Sequence, residues 1–354
     1  MKSDLYFIAE IGVNHCGSLK LAFELINASK ESGANAVKFQ TFRADCLASK
    51  HTKLVDYQKA NSNHNNQFEM LKELEISYSD FEKIKKYCDD IEIDFLSTPF
   101  DHFDLAFLNS IGMKKIKIAS GEITNLKLLY EAARTNKEIL LSTGMSNIEE
   151  IKLALDTISF AKRFDKPPTS LDLIESKKLD NYQDLQDIVT VLHCTSLYPC
   201  PPNTVSARSL QYLNEVLNLK LGFSDHTVDH TAAILCLAYG AEVFEKHITL
   251  DKSLNGPDHM ASSTPNELKQ YIQLIKQADI QQGSYTKSCS TEELQTKSLV
   301  RKKLSASKTI SKGEIFSADN LSSIRSSDGT EATYYWDYIG KKAKKDYVKD
   351  EIIY

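Results

Sequence analysis

No stretch of this sequence approaches the roughly 20 consecutive apolar residues needed to cross a bilayer. Its opening residues, Met1-Lys2-Ser3-Asp4, lead directly into a strand pattern without a signal-peptide apolar region, so neither membrane insertion nor export is expected. There is no basic excess: 43 Lys and Arg stand against 48 Asp and Glu, for a net charge of −5. Nucleic acid is therefore not the default partner. The seven cysteines are odd in number and scattered, and none forms a Cys-x-x-Cys pair. That pattern suits reduced thiols and a cytoplasmic location better than a disulfide framework. A Gly-x-Gly-x-x-Gly turn is also lacking, which weakens the case for an open dinucleotide-binding sheet. Neither His-x-His nor His-Glu-x-x-His occurs to announce a metal site.

What is present is a repeat. A chain of 354 residues suits one large domain and a small one. Short apolar runs at Leu5–Ala9, Ala36–Gln40, Ile93–Ser97, Lys115–Ala119, Glu138–Ser142, Thr190–Cys194, Lys220–Ser224 and Glu242–Lys246 predict strands buried on both faces. Helical patterns separate them. Ser18–Ser32 carries a stripe of Leu19, Ala22, Phe23, Leu25, Ile26 and Ala28, with Ser18 placed as N-cap and Gly33 as a stop. Further helices are expected at Ser79–Cys88, His102–Ile111, Asn125–Arg134, Asn147–Phe160, Ala207–Leu217, Thr227–Tyr239 and Pro265–Ala278. Eight strand–helix pairs predict an α/β protein of the (β/α)8 TIM-barrel type over residues 1–280, with an open doubly wound sheet as the alternative. A polar linker is expected at 281–297 and a compact β-rich domain at 298–354, too small for a large core of its own. Arg43–Asn66 reads as a long loop, and Lys162–Leu185 as a surface excursion on the far side from the site.

The strand ends carry the chemistry, since the site of such a barrel lies at the strands' C-terminal ends. His226 and His247 end adjacent strands and could converge on one divalent metal, with water and substrate completing an open site. Two hydrogen-bonded histidines packed under a loop would read the same way. Lys38 and Lys117, with Ser120, Ser142 and Ser224 nearby, can hold a phosphate dianion. A Schiff-base lysine and plain surface charge are the rival readings. Glu10, Glu122 and Asp258 would add carboxylates able to grip hydroxyls or move a proton.

These segments resemble the sialic acid synthase family, the phosphoenolpyruvate-dependent synthases of nonulosonic acids. The resemblance rests on an ordered set of motifs covering nearly the whole chain. They are Phe7-Ile8-Ala9-Glu10-Ile11-Gly12-Val13-Asn14-His15, Val37-Lys38-Phe39-Gln40-Thr41-Phe42, Leu96-Ser97-Thr98-Pro99-Phe100, Lys117-Ile118-Ala119-Ser120-Gly121-Glu122, Ser142-Thr143-Gly144-Met145, Leu192-His193-Cys194-Thr195, Gly222-Phe223-Ser224-Asp225-His226-Thr227, Glu245-Lys246-His247 and Gly256-Pro257-Asp258. The tail from Arg301 resembles that family's antifreeze-like (SAF) module.

The resemblance implies condensation of phosphoenolpyruvate with an open-chain N-acylmannosamine and water, releasing phosphate by C–O cleavage. It implies manganese or magnesium on His226 and His247. Lys38, Lys117, Ser120, Ser142 and Ser224 would hold phosphoenolpyruvate, and Glu122, Tyr198 and Asp258 the sugar. Glu10 would serve the sugar rim or proton transfer. It also implies a homodimer with a swapped C-terminal module, Arg325 reaching the sugar's acyl group. Two departures stand out: Arg325 is followed by Ser326-Ser327 where the family has Pro-Gly, and Leu197 precedes Tyr198-Pro199 where a polar residue is usual. N-acetylneuraminate synthase, acting on N-acetylmannosamine, is the favoured expectation. A legionaminate or pseudaminate synthase using a 2,4-diacetamido-2,4,6-trideoxyhexose is the near alternative, and a Schiff-base pyruvate aldolase the distant one.

Overall fold

The computed structural model describes residues 5–55, 58, 59, 64–170, 172 and 182–354. Eight parallel strands close into a barrel in sequence order. They are β1 (Tyr6–Gly12), β2 (Ala36–Thr41), β3 (Asp94–Pro99), β4 (Lys115–Ile118), β5 (Glu138–Ser142), β6 (Val189–Cys194), β7 (Lys220–Asp225) and β8 (Ala241–His247). The barrel prediction holds, and the doubly wound alternative falls because β1 pairs with β8 as well as β2.

The two-residue period of each strand sorts its side chains. One parity, including Phe7, Ala9, Val37, Phe39, Phe95, Ile116, Ile139, Leu141, Val191, Phe223 and Phe244, packs outward in the main hydrophobic core, against helices. The other parity points inward. There Ile8, Ala36, Leu96, Leu140 and Leu192 form a separate apolar layer that plugs the barrel. Gly222 lies on this inner face, where an added Cβ would come within 2.4 Å of Leu192 and 2.6 Å of the Val243 carbonyl, so any side chain would prevent closure.

The connecting helices follow their capping signals. Leu19–Glu31 starts at Ser18, whose hydroxyl accepts from the Leu21 amide, and buries Ala22, Leu25 and Ile26. Ile148–Arg163 and Pro265–Gln282 open on capping boxes, Asn147 with Glu150 and Thr264 with Glu267. The first of these runs past Phe160, through Lys162 and Arg163, where the surface excursion was expected to begin. Residues 171 and 173–181 of that excursion lie outside the described residues. Within the loop expected at Arg43–Asn66 lies the short helix Ala44–Leu47, and directly after it comes a second helix, Gln67–Leu74, that the sequence reading did not predict. The second is capped by Asn66, whose side chain accepts from the Glu69 amide, and it buries Met70 and Leu74.

The chain divides into two compact units, Met1–Gly283 and Ser284–Tyr354. The expected linker is not uniformly extended. Thr291–Val300 is a helix with a Ser290–Glu293 capping box and no buried residue, so it gave no apolar stripe to read. In the second unit β9 (Lys302–Ala306) pairs antiparallel with β10 (Leu321–Arg325). Leu304, Ala306, Ile310, Phe316, Leu321, Ala343, Tyr347 and Ile353 form its core. No helix among the described residues is long and apolar enough to cross a membrane.

Candidate active site

Above the apolar plug, the inward parity turns polar. It carries Glu10 on β1, Lys38 and Gln40 on β2, Thr98 on β3, Lys117 on β4, Ser142 on β5, Cys194 on β6, Ser224 on β7, and Glu245 and His247 on β8. All of them line one cavity of about 480 Å³, together with His226, Ser120, Ser196, Tyr198 and Asp258.

Four buried charges form its floor. Lys38 Nζ lies 2.8 Å from Glu10 Oε2, 3.8 Å from Glu245 Oε2 and 3.0 Å from the Thr98 hydroxyl. Lys117 Nζ donates to Glu245 Oε1 at 3.1 Å, and Ser224 Oγ donates to the same oxygen at 2.7 Å. Gln40 donates to Glu10 Oε1 at 3.2 Å. Each of the two lysines expected to hold an anion thus also faces a carboxylate. Burial pushes the Glu10 carboxyl up to about 7; Lys38 opposes the rise and Glu245 adds to it. Burial pulls Glu245 upward too, but Lys117 and Lys38 more than offset it and hold it well below the usual carboxylate range. Burial alone would lower Lys38, yet Glu10 and Glu245 together raise it. Its ammonium form is therefore the stable one.

His226 and His247 meet at the ends of β7 and β8, with ring centroids 5.5 Å apart. His226 Nδ1 lies 2.7 Å from the Thr195 carbonyl; a carbonyl only accepts, so Nδ1 carries the proton and Nε2 is the other ring nitrogen. Cys194 Sγ is 3.8 Å from the same Nδ1. Burial raises the Cys194 thiol, but His226, Lys117 and Ser120 together outweigh it and bring the thiol down to about 7. His247 Nδ1 is buried and without a hydrogen-bond partner among the described residues, 4.0 Å from Asp258 Oδ2. Burial, then His226, keeps His247 neutral. Burial raises Asp258 to about 6 against the opposing pull of His226 and Lys38. These two imidazoles are the residues that could hold a metal. Among the described residues no group of three or more His, Cys, Asp or Glu closes around a metal position.

The remaining expected site residues divide. Ser142 is buried, its hydroxyl unpartnered among the described residues. Ser120 accepts from the Gly144 amide at 3.0 Å. Tyr198, on a cis Tyr198–Pro199 peptide, lays its ring 4.1 Å from that of His226. Glu122 does not line the cavity: the 3-10 turn Ser120–Glu122 presents Ser120 and Gly121 to it, while Glu122 accepts from Asn125 at 2.8 Å. Leu197 lines a neighbouring cavity with Thr143, Ile148 and Leu213, and Ser196 supplies the polar group at that corner of the main one. Arg325 ends β10 in the second unit. The sequence reading gave no role to Glu245, Thr98, Cys194 or Ser196. Glu245 was within reach, because it precedes His247 by two residues on one strand and so shares its inward face.

A closed parallel barrel with a buried, charged mouth at the carboxyl ends of its strands is the architecture of a barrel enzyme. Comparison with known proteins gives the class. The chain is 41% identical over 356 residues to an N,N'-diacetyllegionaminic acid synthase of Campylobacter jejuni subsp. jejuni, covering 100% of this chain and 99% of that protein. It is 39% identical over 338 residues to the corresponding synthase of Legionella pneumophila, covering 95% and 90%. Its fold matches a crystal structure of the N-acetylneuraminic acid (sialic acid) synthetase of Leptospira borgpetersenii in complex with citrate, with a TM-score of 0.68 and 27% identity over 82% of this chain and 90% of that one. The protein is an enzyme of the nonulosonic acid synthase class. It belongs to the NeuB family, whose model matches residues 25–287, and carries a SAF domain at residues 304–354. The expectation of N-acetylmannosamine as acceptor gains no support from these relatives, which favour the near alternative.

Proposed function

We propose that this protein condenses phosphoenolpyruvate with a 2,4-diacetamido-2,4,6-trideoxyhexose and water, yielding a diacetylated nonulosonic acid of the legionaminic type and inorganic phosphate. Support for this acceptor comes from the full-length similarity to synthases named for N,N'-diacetyllegionaminic acid. The chemistry rests on one observation, the buried floor of Lys38, Lys117, Glu10 and Glu245 beneath two imidazoles.

In the reaction the C3 carbon of phosphoenolpyruvate bonds to the aldehyde carbon of the sugar. Water adds at C2, and the C2–O bond to phosphate breaks. Lys38 and Lys117 hold the phosphate and carboxylate of phosphoenolpyruvate as ammonium ions, with Ser142, Ser120 and Ser224 supplying hydroxyl contacts. Glu10, near neutral in pKa, holds a proton or releases it beside Lys38. Tyr198 and Asp258 bind the sugar at the rim. The neutral His247, whose Nδ1 has no hydrogen-bond partner among the described residues, and His226 with its tautomer fixed by Thr195 fit an open divalent site. When bound there, manganese or magnesium supplies Lewis-acid polarisation of the aldehyde oxygen. A Schiff-base aldolase requires a neutral lysine nucleophile, and the ion pairs of Lys38 and Lys117 with carboxylates disfavour it. In this reading the protein works as a homodimer, the SAF domain of each copy bringing Arg325 to the other's sugar site.

Phosphate release from phosphoenolpyruvate with manganese tests the reading, with the 2,4-diacetamido-trideoxy sugars and N-acetylmannosamine as parallel acceptors. Fastest release with a legionaminic-type precursor supports it. Preference for N-acetylmannosamine returns the enzyme to sialic acid synthesis, and no release with any acceptor removes the synthase reading.

A further inference from the structure

The cavity is amphipathic in a way the reaction above does not use. Its floor is charged, but one flank is built of Val13, Leu47, Met70, Leu71, Leu74 and Phe100, with Val55 further out and Gln58 and Gln67 as that flank's polar members. These apolar residues belong to a satellite core separate from the barrel's own. Val13, Phe42, Leu54, Met70 and Leu74 are buried in it, and Leu47, Leu71 and Phe100 pack half-buried against it. The Phe42 and Phe100 rings meet edge to face at 6.0 Å. Most of this core comes from the excursion after β2 together with the helix it leads into, through Ala44–Leu47, Leu54 and Gln67–Leu74. The excursion thus carries a small apolar core and turns one side of it to the cavity.

Such a wall discriminates among sugars. A hydroxyl pressed against it gives up water without gaining a partner, whereas a methyl group gains burial. N-acetylmannosamine bears hydroxyls at C4 and C6; a 2,4-diacetamido-2,4,6-trideoxyhexose bears an acetamido group and a methyl there. We infer that the Leu47–Leu71 flank, backed by Met70 and Leu74, is the acceptor-specificity element of this enzyme and receives the acetyl methyl of the C4 acetamido group and the C6 methyl of the sugar. The inference rests on the proposed reaction and adds to it the residues that select the acceptor.

The test is steady-state kinetics of the full-length protein with both acceptors, for wild type, Leu47→Gln, Leu71→Gln and Leu71→Met. Leu71 is half-buried, and glutamine and methionine are both good helix formers of similar length, so the helix is preserved. A methyl-sized contact is worth about 10-fold or more in discrimination. Each glutamine variant should lower the kcat/KM ratio of deoxy sugar to N-acetylmannosamine by about 10-fold, through the KM of the deoxy sugar. The KM for phosphoenolpyruvate should stay unchanged, and Leu71→Met should keep the wild-type ratio. A wild type that prefers the deoxy sugar, with a ratio that both glutamine variants leave within about twofold, overturns this assignment alone. A wild type that uses N-acetylmannosamine and ignores the deoxy sugar overturns the proposed acceptor and this inference with it.

Discussion

Lys117 and Glu245, 128 residues apart in sequence, meet at 3.1 Å inside the barrel, and both are almost completely buried. Glu245 also accepts from Ser224 and lies 3.8 Å from Lys38, so one carboxylate joins β2, β4, β7 and β8. Removing one partner of a buried pair leaves an uncompensated charge, at a cost of about 3–5 kcal/mol. Glu245→Ala should therefore lose about that much stability in urea unfolding. A loss below about 1 kcal/mol, the range of exposed pairs, would show that solvent reaches the floor freely.

A second buried pair lies behind the site. Lys246 Nζ is 3.1 Å from Asp225 Oδ2 and also donates to the Thr227 carbonyl, and both side chains are essentially unexposed. Asp225 and Lys246 are register partners on β7 and β8, each immediately before one of the two histidines. Lys246→Met alone should destabilise by about 3–5 kcal/mol by orphaning Asp225. The double variant Asp225→Leu/Lys246→Met should recover most of that loss, since apolar replacements of a buried pair are often neutral. Equal losses in single and double variants would argue against a coupled pair.

His247→Ala should abolish manganese binding by calorimetry while leaving the circular dichroism spectrum intact, because it removes one of the two imidazoles that meet at the ends of β7 and β8. Wild-type manganese affinity in this variant would sink the ligand role.

Asp104 supplies a pH-dependent term away from the site. It is buried, accepts from the Tyr78 hydroxyl at 2.7 Å, and is pushed up to about 6 by burial. The unfolded chain releases this proton near pH 4, so the folded state binds the proton more tightly. This group's stabilisation is present in acid and is lost as pH rises toward 6. The stability difference between wild type and Asp104→Asn should accordingly shift against wild type between pH 4.5 and pH 7, and a pH-independent difference would refute the raised pKa.

Arg325→Ala should raise the KM for the acceptor sugar at least about 10-fold with little change in that for phosphoenolpyruvate, as loss of a charge-assisted hydrogen bond predicts. A chain ending at Gly283, the boundary of the barrel unit, should show the same split. Full activity from that shortened chain would end the swapped-domain reading.

The strand period made most of the barrel legible. All eight strands lie within two residues of their predicted ends at the start and three at the finish, because a strand buried on both faces must be apolar and short. The same period put Glu10, Lys38, Lys117, Ser142, Ser224 and His247 on one inner face. It could not show what those groups do to each other. The pairing of Lys117 with Glu245, the rise of Glu10 and the fall of Glu245 depend on distances across a closed barrel, and closure brings together residues hundreds of positions apart. Nor did the loop Arg43–Asn66 betray its part in the satellite core, since Leu47 and Leu54 stand apart among polar residues, although Met70, Leu71 and Leu74 just beyond it do share one helical face. The order and phase of the strands were therefore written locally, in hydrophobic alternation. The electrostatics of the floor and the apolar flank that faces it were decided only by tertiary structure, because both are made of contacts between segments whose own patterns do not mention each other.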